Sequence, residues 1–329
     1  MRRLLRTLLL TLSLGGLAPV HADEAESVTL AIQNGIAYLP LLLADEQHLI
    51  EEEAARLGLP NLKVKLLNLG SAGMIRDALI AGQVDFGAVG PPTLVNMHDK
   101  TRGDIKLVSV IVSLPMTLNT TNDRVKSICQ FDTGDKIALP TIKISVQAVT
   151  LQMAAKAQCG DPFLLDRLTV SMAHPDGMNA LLSGVVSAHF TSPPFAQAEI
   201  ERGQGKVRPL LDSYSILGDK STFIVLVGSE RFRARNPNLH AAVRSGIQRA
   251  KALIAQDKTA AAQLYLRREN SRETLDEVLK QLDSTDLEFG EVPRGIGHYA
   301  RFMHEVGSVK GRYDWKALSM PELHDQPGS

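Results

Sequence analysis

Loops that follow strand-like apolar runs carry the residues best suited to bind a small molecule. They combine amides, hydroxyls, small residues, one lysine and one histidine, and each lies where a helix is predicted to begin. Free backbone N–H groups at a helix start favour negative charge, so these loops predict a binding site, and one suited to an anion. The candidate ligand-binding residues are Asn34, Gly35, Tyr38, Ser71, Ala72, Pro91, Thr93, Thr141, Lys143, Ser145, His174, Thr191 and Ser192.

Several of these residues have a plainer structural interpretation that the sequence leaves open. Asn34 and Tyr38 bracket a ligand, or they form an ordinary turn with the ring packed on the next helix. Ser71 binds an anion or caps its own helix. Pro91 forms an apolar wall or simply begins a helix.

The loops of the second half offer more charge. Residues 141–145 carry hydroxyls and Lys143, which makes them the best candidate for holding a charged group. Lysines are, however, usually solvated surface residues. For His174 the interpretation as a turn or cap residue is slightly favoured, and Thr191 and Ser192 complete the far wall.

Catalytic and metal-binding motifs are missing from the sequence. His298 and His304 are six residues apart, off one helical face, and no nucleophile elbow or phosphate-binding loop occurs. We therefore expect no metal, no cofactor and no enzymatic activity. Cys129 and Cys159 fall outside the predicted loops, and they form either a disulfide or two buried thiols.

Alternating strand and helix patterns position these loops. Strand-like runs at residues 28–32, 63–69, 84–89 and 105–113 alternate with helical periodicity, and the same order restarts at residue 136. One further strand at 222–227 precedes helices up to about residue 303. The pattern predicts two parallel sheets covered on both faces, with ligands beyond the carboxyl ends of the strands.

The amino terminus has the pattern of a secretory signal peptide. Three arginines precede an apolar run at 8–17 and a small-residue cleavage site at 20–22. This run is too short to span a membrane, and no cysteine follows it for a lipid anchor. Without residues 1–22 the chain has 33 basic and 36 acidic residues, a formal charge of −3, which favours neither nucleic acid nor a membrane surface. We predict a periplasmic protein.

Two matching segments carry a family resemblance. Residues 79–92 and 181–194 each run from Leu-x-x-Gly through a strand to Pro-Pro. Together with residues 136–140 and the Gly35-x-x-x-x-Pro40 spacing, they resemble the nitrate/sulfonate/taurine group of ABC-importer substrate-binding proteins, from about residue 28 to 232. The resemblance implies that Ser71 and Ala72 touch the ligand's acidic group, although Ala72 stands where a second polar residue is often found.

The resemblance also implies an α/β, two-lobed, type II periplasmic binding fold, each lobe a mainly parallel sheet flanked by helices. The crossovers are expected near Pro115 and residues 213–221. We expect a signal peptide at 1–22, a first lobe at 23–114, a second lobe at 115–214 and a return to the first lobe at 215–329.

The implied function is capture of a small ligand, anionic and of nitrate, sulfonate or taurine type. The protein would deliver it, as a monomer, to an inner-membrane ABC permease with its cytoplasmic ATPase. Two alternatives stay open. One is a receptor for a neutral pyrimidine or vitamin precursor, which the aromatic content of 5% disfavours. The other is a desulfinase-like enzyme on the same fold.

Overall fold

The first of two sheets is built from the first four strands of the chain and the last one. The structure is a computed structural model that describes residues 24–329, so the predicted signal peptide lies outside the described residues. Five strands in the order β2-β1-β3-β10-β4 form this sheet. β1 is parallel to β2 and β3, and β10 is antiparallel to β3 and β4. The strands are β1 Ser27–Ile32, β2 Lys63–Asn68, β3 Phe86–Val89, β4 Ile105–Ser113 and β10 Thr222–Ser229.

The second sheet repeats this arrangement with the intervening part of the chain. Its order is β7-β6-β8-β5-β9, with β6 parallel to β7 and β8, and β5 antiparallel to β8 and β9. The strands are β5 Thr117–Thr120, β6 Ile137–Leu139, β7 Thr169–Ser171, β8 Ala188–Thr191 and β9 Arg208–Asp212. We call each sheet with its helices the first and the second lobe.

Helices cover both sheets, as the alternating pattern predicts. They are α1 Leu39–Glu46, α2 Leu49–Arg56, α3 Ala72–Ile80, α4 Pro91–Lys100, α5 Val146–Cys159, α6 His174–Leu182, α7 Phe195–Arg202, α8 Ser213–Leu217, α9 Glu230–Arg235, α10 Pro237–Gln256, α11 Lys258–Arg268, α12 Leu275–Leu282 and α13 Ile296–Glu305. Within residues 24–329, no helix combines the length and apolar character needed to cross a bilayer. The predicted fold class is confirmed, since both lobes are mainly parallel sheets flanked by helices.

The strand sequences match their depth in the molecule. β4 and β10 are rich in β-branched residues and almost entirely buried, as expected for strands covered on both faces. β2, at the sheet edge, alternates between exposed and partly buried residues. The chain passes between the sheets at 114–116 and at 213–221, so both lobes meet at two neighbouring crossovers.

Helix α10, which follows β10, packs on α1 and α2 of the first lobe. The contact with α2 is made through a glycine. A Cβ atom added at Gly246 would lie 2.7 Å from Cγ1 of Ile50 and 2.9 Å from its backbone N. The absence of a side chain therefore sets the distance between these two helices.

Two local predictions were wrong. The alternating pattern implies a single helix between the strand-like runs at 28–32 and 63–69, but the helix breaks into α1 and α2 at His48, which has a left-handed φ of 52°. No strand was predicted at β5 or β9, because neither segment has a long apolar run. β5 pairs with β8 and β9, so it completes the second sheet.

The two cysteines form a disulfide in the second lobe. The bridge joins Cys129, in a short 3-10 turn, to Cys159 at the end of α5, with 5.7 Å between the Cα atoms. This decides between the two states that the sequence left open. The bridge ties a surface turn to the helix whose first residues face the other lobe.

Candidate ligand-binding cleft

Helix starts from the two lobes meet across a narrow cleft. The backbone N of Gly73, in the first turn of α3, donates a 3.1 Å hydrogen bond to Oγ1 of Thr141 in the second lobe. The hydroxyl of Thr93, in the first turn of α4, donates a 2.9 Å bond to the carbonyl oxygen of Ile144. Because both bonds join different lobes, the structure shows the cleft closed, with the Ser71 and Thr141 turns facing each other.

Gly90 allows this close approach. A Cβ atom added at Gly90 would lie 2.8 Å from Cβ of Val146, the first residue of α5. Any larger residue would push the start of α5 away from the start of α4. The helix starts thus meet because Gly90 has no side chain.

A small enclosed cavity lies between the lobes at this point. Its volume of about 10 Å³ leaves room for one water-sized molecule. Residues from both sheets and several helix starts line it, namely Gln33, Tyr38, Ala72, Gly90, Pro140, Ser145, Val146, Gln147, His174, Phe223 and Ile224.

Neutral hydrogen-bonding groups form the polar part of this lining. The amides of Val146 and Gln147 begin α5 and that of Ala72 begins α3, so none has an acceptor within its own helix. Helix starts attract negative charge. The lining contains no Lys, Arg, Asp or Glu. An anion in this cavity would therefore be held by hydrogen bonds and helix dipoles, without a charged partner.

Tyr38 provides a neutral hydroxyl from the first lobe. Its oxygen accepts a 2.8 Å hydrogen bond from Nε2 of Gln33. Burial, with a smaller contribution from the charge of Glu269, raises the pKa of Tyr38 far above its ordinary value of 10.0. The phenol thus keeps its proton and can donate it to an acceptor in the cavity.

His174 forms the second-lobe wall of the cavity and is held on three sides. Its Nε2 lies 3.3 Å from Nε2 of Gln147, and its Nδ1 lies 2.9 Å from Oγ1 of Thr191. The ring stacks on Phe195 with 5.4 Å between centroids. Burial, reinforced by the neighbouring His189, lowers the pKa of His174 well below its ordinary value of 6.5, so the ring is neutral at pH 7.

A buried polar chain continues from His174 into the second lobe. Nδ1 of His174 lies 3.4 Å from Nε2 of His189, and Nδ1 of His189 lies 2.5 Å from Oε1 of Glu199. The other carboxyl oxygen accepts a 2.8 Å bond from Asn119. Burial raises the pKa of Glu199 to about 8 and lowers that of His189 to about 3. At pH 7 the two residues are therefore a neutral acid bonded to a neutral imidazole.

Comparison with known families identifies the chain. The model of the NMT1-like family matches residues 21–266. The chain belongs to the NMT1-like family. No curated protein sequence matches it.

Solved structures that resemble this NMT1-like protein include sulfonate- and nitrate-binding proteins. The periplasmic aliphatic sulphonate binding protein SsuA from Escherichia coli matches with a TM-score of 0.65 and 18% identity over 90% of this chain and 92% of that chain. The alkanesulfonate-binding protein SsuA from Xanthomonas axonopodis pv. citri, bound to MOPS, gives 0.70 and 15% over 91% and 99%. The periplasmic nitrate-binding protein NrtA from Synechocystis PCC 6803 gives 0.72 and 15% over 91% and 87%. These likenesses show the fold, and the predicted resemblance is confirmed.

In this NMT1-like protein the predicted ligand-binding residues take different positions in the cleft. Tyr38, Ala72, Ser145 and His174 line the cavity. Others lie next to it and hold its walls, as described above for Thr93, Thr141 and Thr191. Their contact with a ligand stays a prediction.

A third group lies outside the lining. Ser71 caps α3, because its Oγ accepts a hydrogen bond from the backbone N of Met74. Pro91 is buried as the first residue of α4, and Ser192 is buried with its carbonyl oxygen bonded to the backbone N of Ala196. Lys143 is exposed in a turn with a left-handed φ of 68°. None of these four residues lines the cavity, and their contact with a ligand stays a prediction.

In the loop that follows β1, the polar groups of Asn34 and Gly35 already bind a carboxylate of the protein. Nδ2 of Asn34 and the backbone N of Gly35 donate bonds of 3.2 and 3.1 Å to Oε2 of Glu269. These bonds lower the pKa of Glu269, but burial is the larger effect and raises it overall. Asn34 faces a separate hollow of about 260 Å³ beside Phe195, and Gly35 approaches the same ring.

Another hollow lies further out. It has a volume of about 500 Å³ and runs between α7 and residues 272–287. Arg202 and Arg272 line both this hollow and the one beside Phe195. Neither contains the converging starts of α3 and α5, so we place the binding chemistry in the smaller cavity.

Sequence reasoning missed two polar side chains of the lining. Gln33 directly precedes the predicted Asn34, and Gln147 directly follows the predicted loop at 141–145. A polar residue in the first turn of the otherwise apolar segment 146–149 was the available signal. Among the described residues, no group of three or more His, Cys, Asp or Glu is arranged to hold a metal ion.

Proposed function

We propose that this chain is the periplasmic solute-binding component of an ABC importer and captures a small anion between its lobes. One observation carries the proposal. Helix starts from both lobes converge on a single cavity whose polar lining consists of neutral hydrogen-bonding groups. Such a lining suits a ligand with several acceptor oxygens.

Family and fold support the ligand class. The chain belongs to the NMT1-like family, and its fold is that of proteins described as binding nitrate and alkanesulfonates. Nitrate and sulfonate groups are both compact and present three oxygens. We propose a ligand of this kind, bound without turnover and without a cofactor.

Closure of the lobes provides the mechanism. A ligand between the helix starts gains contacts in the closed state that the open state lacks, so binding shifts the equilibrium toward closure. The present cavity holds only one water-sized molecule, so a larger ligand must keep the lobes slightly further apart. The hollow of about 260 Å³ beside Phe195 provides space for a substituent. We propose that the closed monomer, with both lobes together, is what the inner-membrane permease and its ATPase recognise.

A second candidate ligand is a neutral heteroaromatic molecule such as a pyrimidine. The specific observation in its favour is that the lining has two primary amides, Gln33 and Gln147, a phenol and an imidazole, but no cation. Primary amides both donate and accept hydrogen bonds, as the edge of a pyrimidine requires.

A thermal-shift screen followed by calorimetry tests the proposal. The purified protein is screened with nitrate, taurine, methanesulfonate, longer alkyl sulfonates, bicarbonate and pyrimidines, because a ligand of the folded state raises Tm. Gln147→Leu should weaken a true anionic ligand about tenfold, since it removes a hydrogen-bonding group from the lining. Gln158→Leu, exposed at the other end of α5, is the matched control.

The outcomes separate the candidates. Stabilisation by a sulfonate or nitrate that depends on Gln147 supports the anion receptor, and stabilisation only by pyrimidines supports the second candidate. Turnover of a sulfonate or sulfinate by the purified protein, detected as product by mass spectrometry, would replace the receptor with an enzyme.

A further inference from the structure

Packing does not explain the buried polar chain behind the cavity, because apolar side chains would fill the same space. His174, His189 and Glu199 are 6%, 0% and 0% exposed, and buried polar groups are costly unless each is hydrogen-bonded. The fold makes room for this chain, because a Cβ atom at Gly177 would lie 2.5 Å from Nε2 of His189. We call these three side chains the His-His-Glu chain.

The bond between Glu199 and His189 fixes the protonation of His189. With 2.5 Å between Oε1 and Nδ1, one proton lies between these two atoms. If the carboxyl group holds it, Nδ1 accepts, and the neutral imidazole must carry its own proton on Nε2. If the proton moves to Nδ1, the ring is an imidazolium and again has a proton on Nε2. In both cases His189 directs an N–H at His174.

The next step fixes the tautomer of His174. Its Nδ1 faces the Nε2–H of His189 at 3.4 Å and the hydroxyl of Thr191 at 2.9 Å, and that hydroxyl is able to donate to it. This nitrogen therefore accepts, and a neutral ring carries its single proton on Nε2. Nε2 lies 3.3 Å from Nε2 of Gln147, another residue of the cavity lining, and a half-turn of that amide presents its oxygen to the N–H.

We infer that Glu199 and His189 are positioning residues that hold His174 as a neutral Nε2–H donor, so that His174 recognises an acceptor oxygen of the ligand. The ligand class is that of sulfonate, carboxylate or nitrate groups. This second half rests on the proposed function, whereas the tautomer of His174 does not.

Loss of the shared proton reverses the arrangement. An ionised Glu199 needs the Nδ1–H of His189, so Nε2 of His189 carries a lone pair and accepts a hydrogen bond from His174, whose single proton is then on Nδ1 instead of Nε2. His174 then presents a lone pair to the cavity and repels an anion. Burial, which raises the pKa of Glu199 to about 8, places this change above neutral pH.

Few other charged side chains lie near the His-His-Glu chain. The remaining ionisable side chains of the packed helices α6 and α7 are exposed, namely Asp176, Glu201 and Arg202. On α5, Lys156 pairs with Glu305, and β5 and β8 contribute only Asn119 and His189 near Glu199. His174 is also the first residue of α6, where the helix dipole opposes a charged ring.

Nitrogen NMR of the histidine side chains in the ligand-free protein tests the positioning role. In the wild type we expect His174 in the Nε2–H form at pH 6.5 and conversion toward Nδ1–H as pH rises through about 8. Glu199→Gln keeps a donor to His189 and an acceptor for Asn119, so His174 should stay Nε2–H up to pH 9.5. Glu201→Gln, exposed on the same helix, should titrate like the wild type.

Two NMR results would overturn the inference. One is the Nδ1–H form of His174 in the wild type at pH 6.5, and the other is an unchanged titration in Glu199→Gln. A purely structural role for Glu199 predicts no difference in tautomer between the two proteins. The NMR result stands whether or not an anion binds.

Calorimetry with methanesulfonate, taurine and nitrate at pH 6.5 and 9 tests the ligand half. The wild type should bind the best of these about tenfold more weakly at pH 9, and Glu199→Gln should bind equally at both pH values. Equal loss in both proteins, or binding unaffected by His174→Phe, contradicts recognition through His174. Absence of binding by every probe removes the ligand half together with the proposed anion receptor, while the tautomer remains decided by NMR.

Discussion

Removal of the two cross-lobe hydroxyls tests whether the closed cleft is held by the contacts seen in the structure. Thr141→Val removes the acceptor for the backbone N of Gly73, and Thr93→Val removes the donor to Ile144. Valine has nearly the same shape as threonine. In an open cleft the freed backbone groups face water, so both substitutions act mainly on the closed state.

The expected magnitude follows from the hydrogen bonds. A neutral hydrogen bond contributes about 1 kcal/mol net, which corresponds to about a fivefold change in the ratio of closed to open molecules. The two bonds share no partner, so their effects should add. The double variant Thr93→Val/Thr141→Val should therefore lower the ratio about 30-fold.

Fluorescence energy transfer between the lobes measures this ratio. Dyes attached at Leu57→Cys in the first lobe and Val185→Cys in the second report on separation, since these residues are 39% and 60% exposed. The native cysteines are both in the disulfide and stay unlabelled. Thr101→Val, which loses two hydrogen bonds of its hydroxyl inside the first lobe, is the matched control.

An unchanged ratio in the double variant would refute the view that these bonds hold the cleft closed. Affinity provides a second readout once a ligand is known. The apparent Kd is inversely proportional to the closed fraction, so it should change most when the open state already predominates. A change in Kd in the control as large as in the double variant would also contradict the reasoning.

Three further predictions concern stability. Reduction of the Cys129–Cys159 bridge, which spans 30 residues, should lower the free energy of unfolding by about 3–4 kcal/mol in denaturant titrations; an unchanged midpoint would contradict this. Gly246→Ala should lower the free energy of unfolding by about 1–3 kcal/mol, because the added Cβ meets Ile50. Gln248→Ala, on the exposed side of α10, is the control and should change it little. Equal denaturation midpoints for the two variants would show that α2 and α10 separate freely. Because the pKa of Glu199 is raised, its stabilising contribution is complete below the ordinary pKa of 4.5 and is lost as pH rises through about 8. The Tm of Glu199→Gln relative to the wild type should therefore increase from pH 5 to 8.5. A difference in Tm that does not change with pH would argue against a protonated carboxyl group.

Local sequence patterns predicted most of the fold, and the failures have a common cause. The alternation of apolar strands and amphipathic helices is set by residues within a few positions of each other, so it is visible in the sequence. β5, with the sequence Thr-Leu-Asn-Thr, carries no such signal. It becomes a strand because β8 and β9 offer it hydrogen bonds on both sides, and that depends on contacts distant in sequence.

The candidate site was predictable as a set of loops but not as a set of contacts. Helix starts after parallel strands pointed to the right region, and Tyr38, Ala72, Ser145 and His174 do line the cavity. Ser71 and Lys143 were equally plausible from residue type. Which side chains face inward depends on how the two lobes meet, and a single sequence does not contain that geometry.

Glu199 shows the limit most clearly. In the segment Phe195–Arg202 it resembles any acidic residue on a helix surface, yet it is fully buried. Its partner Asn119 is 80 residues earlier in the chain and His189 lies on a different strand. The sequence by itself determined most of the strands and helices, apart from β5, β9 and the break between α1 and α2, and the chemistry available at the helix starts, because those depend on neighbouring residues. Only the tertiary structure decided which groups share the cavity and which acid loses its charge, because burial is a property of the packed lobes.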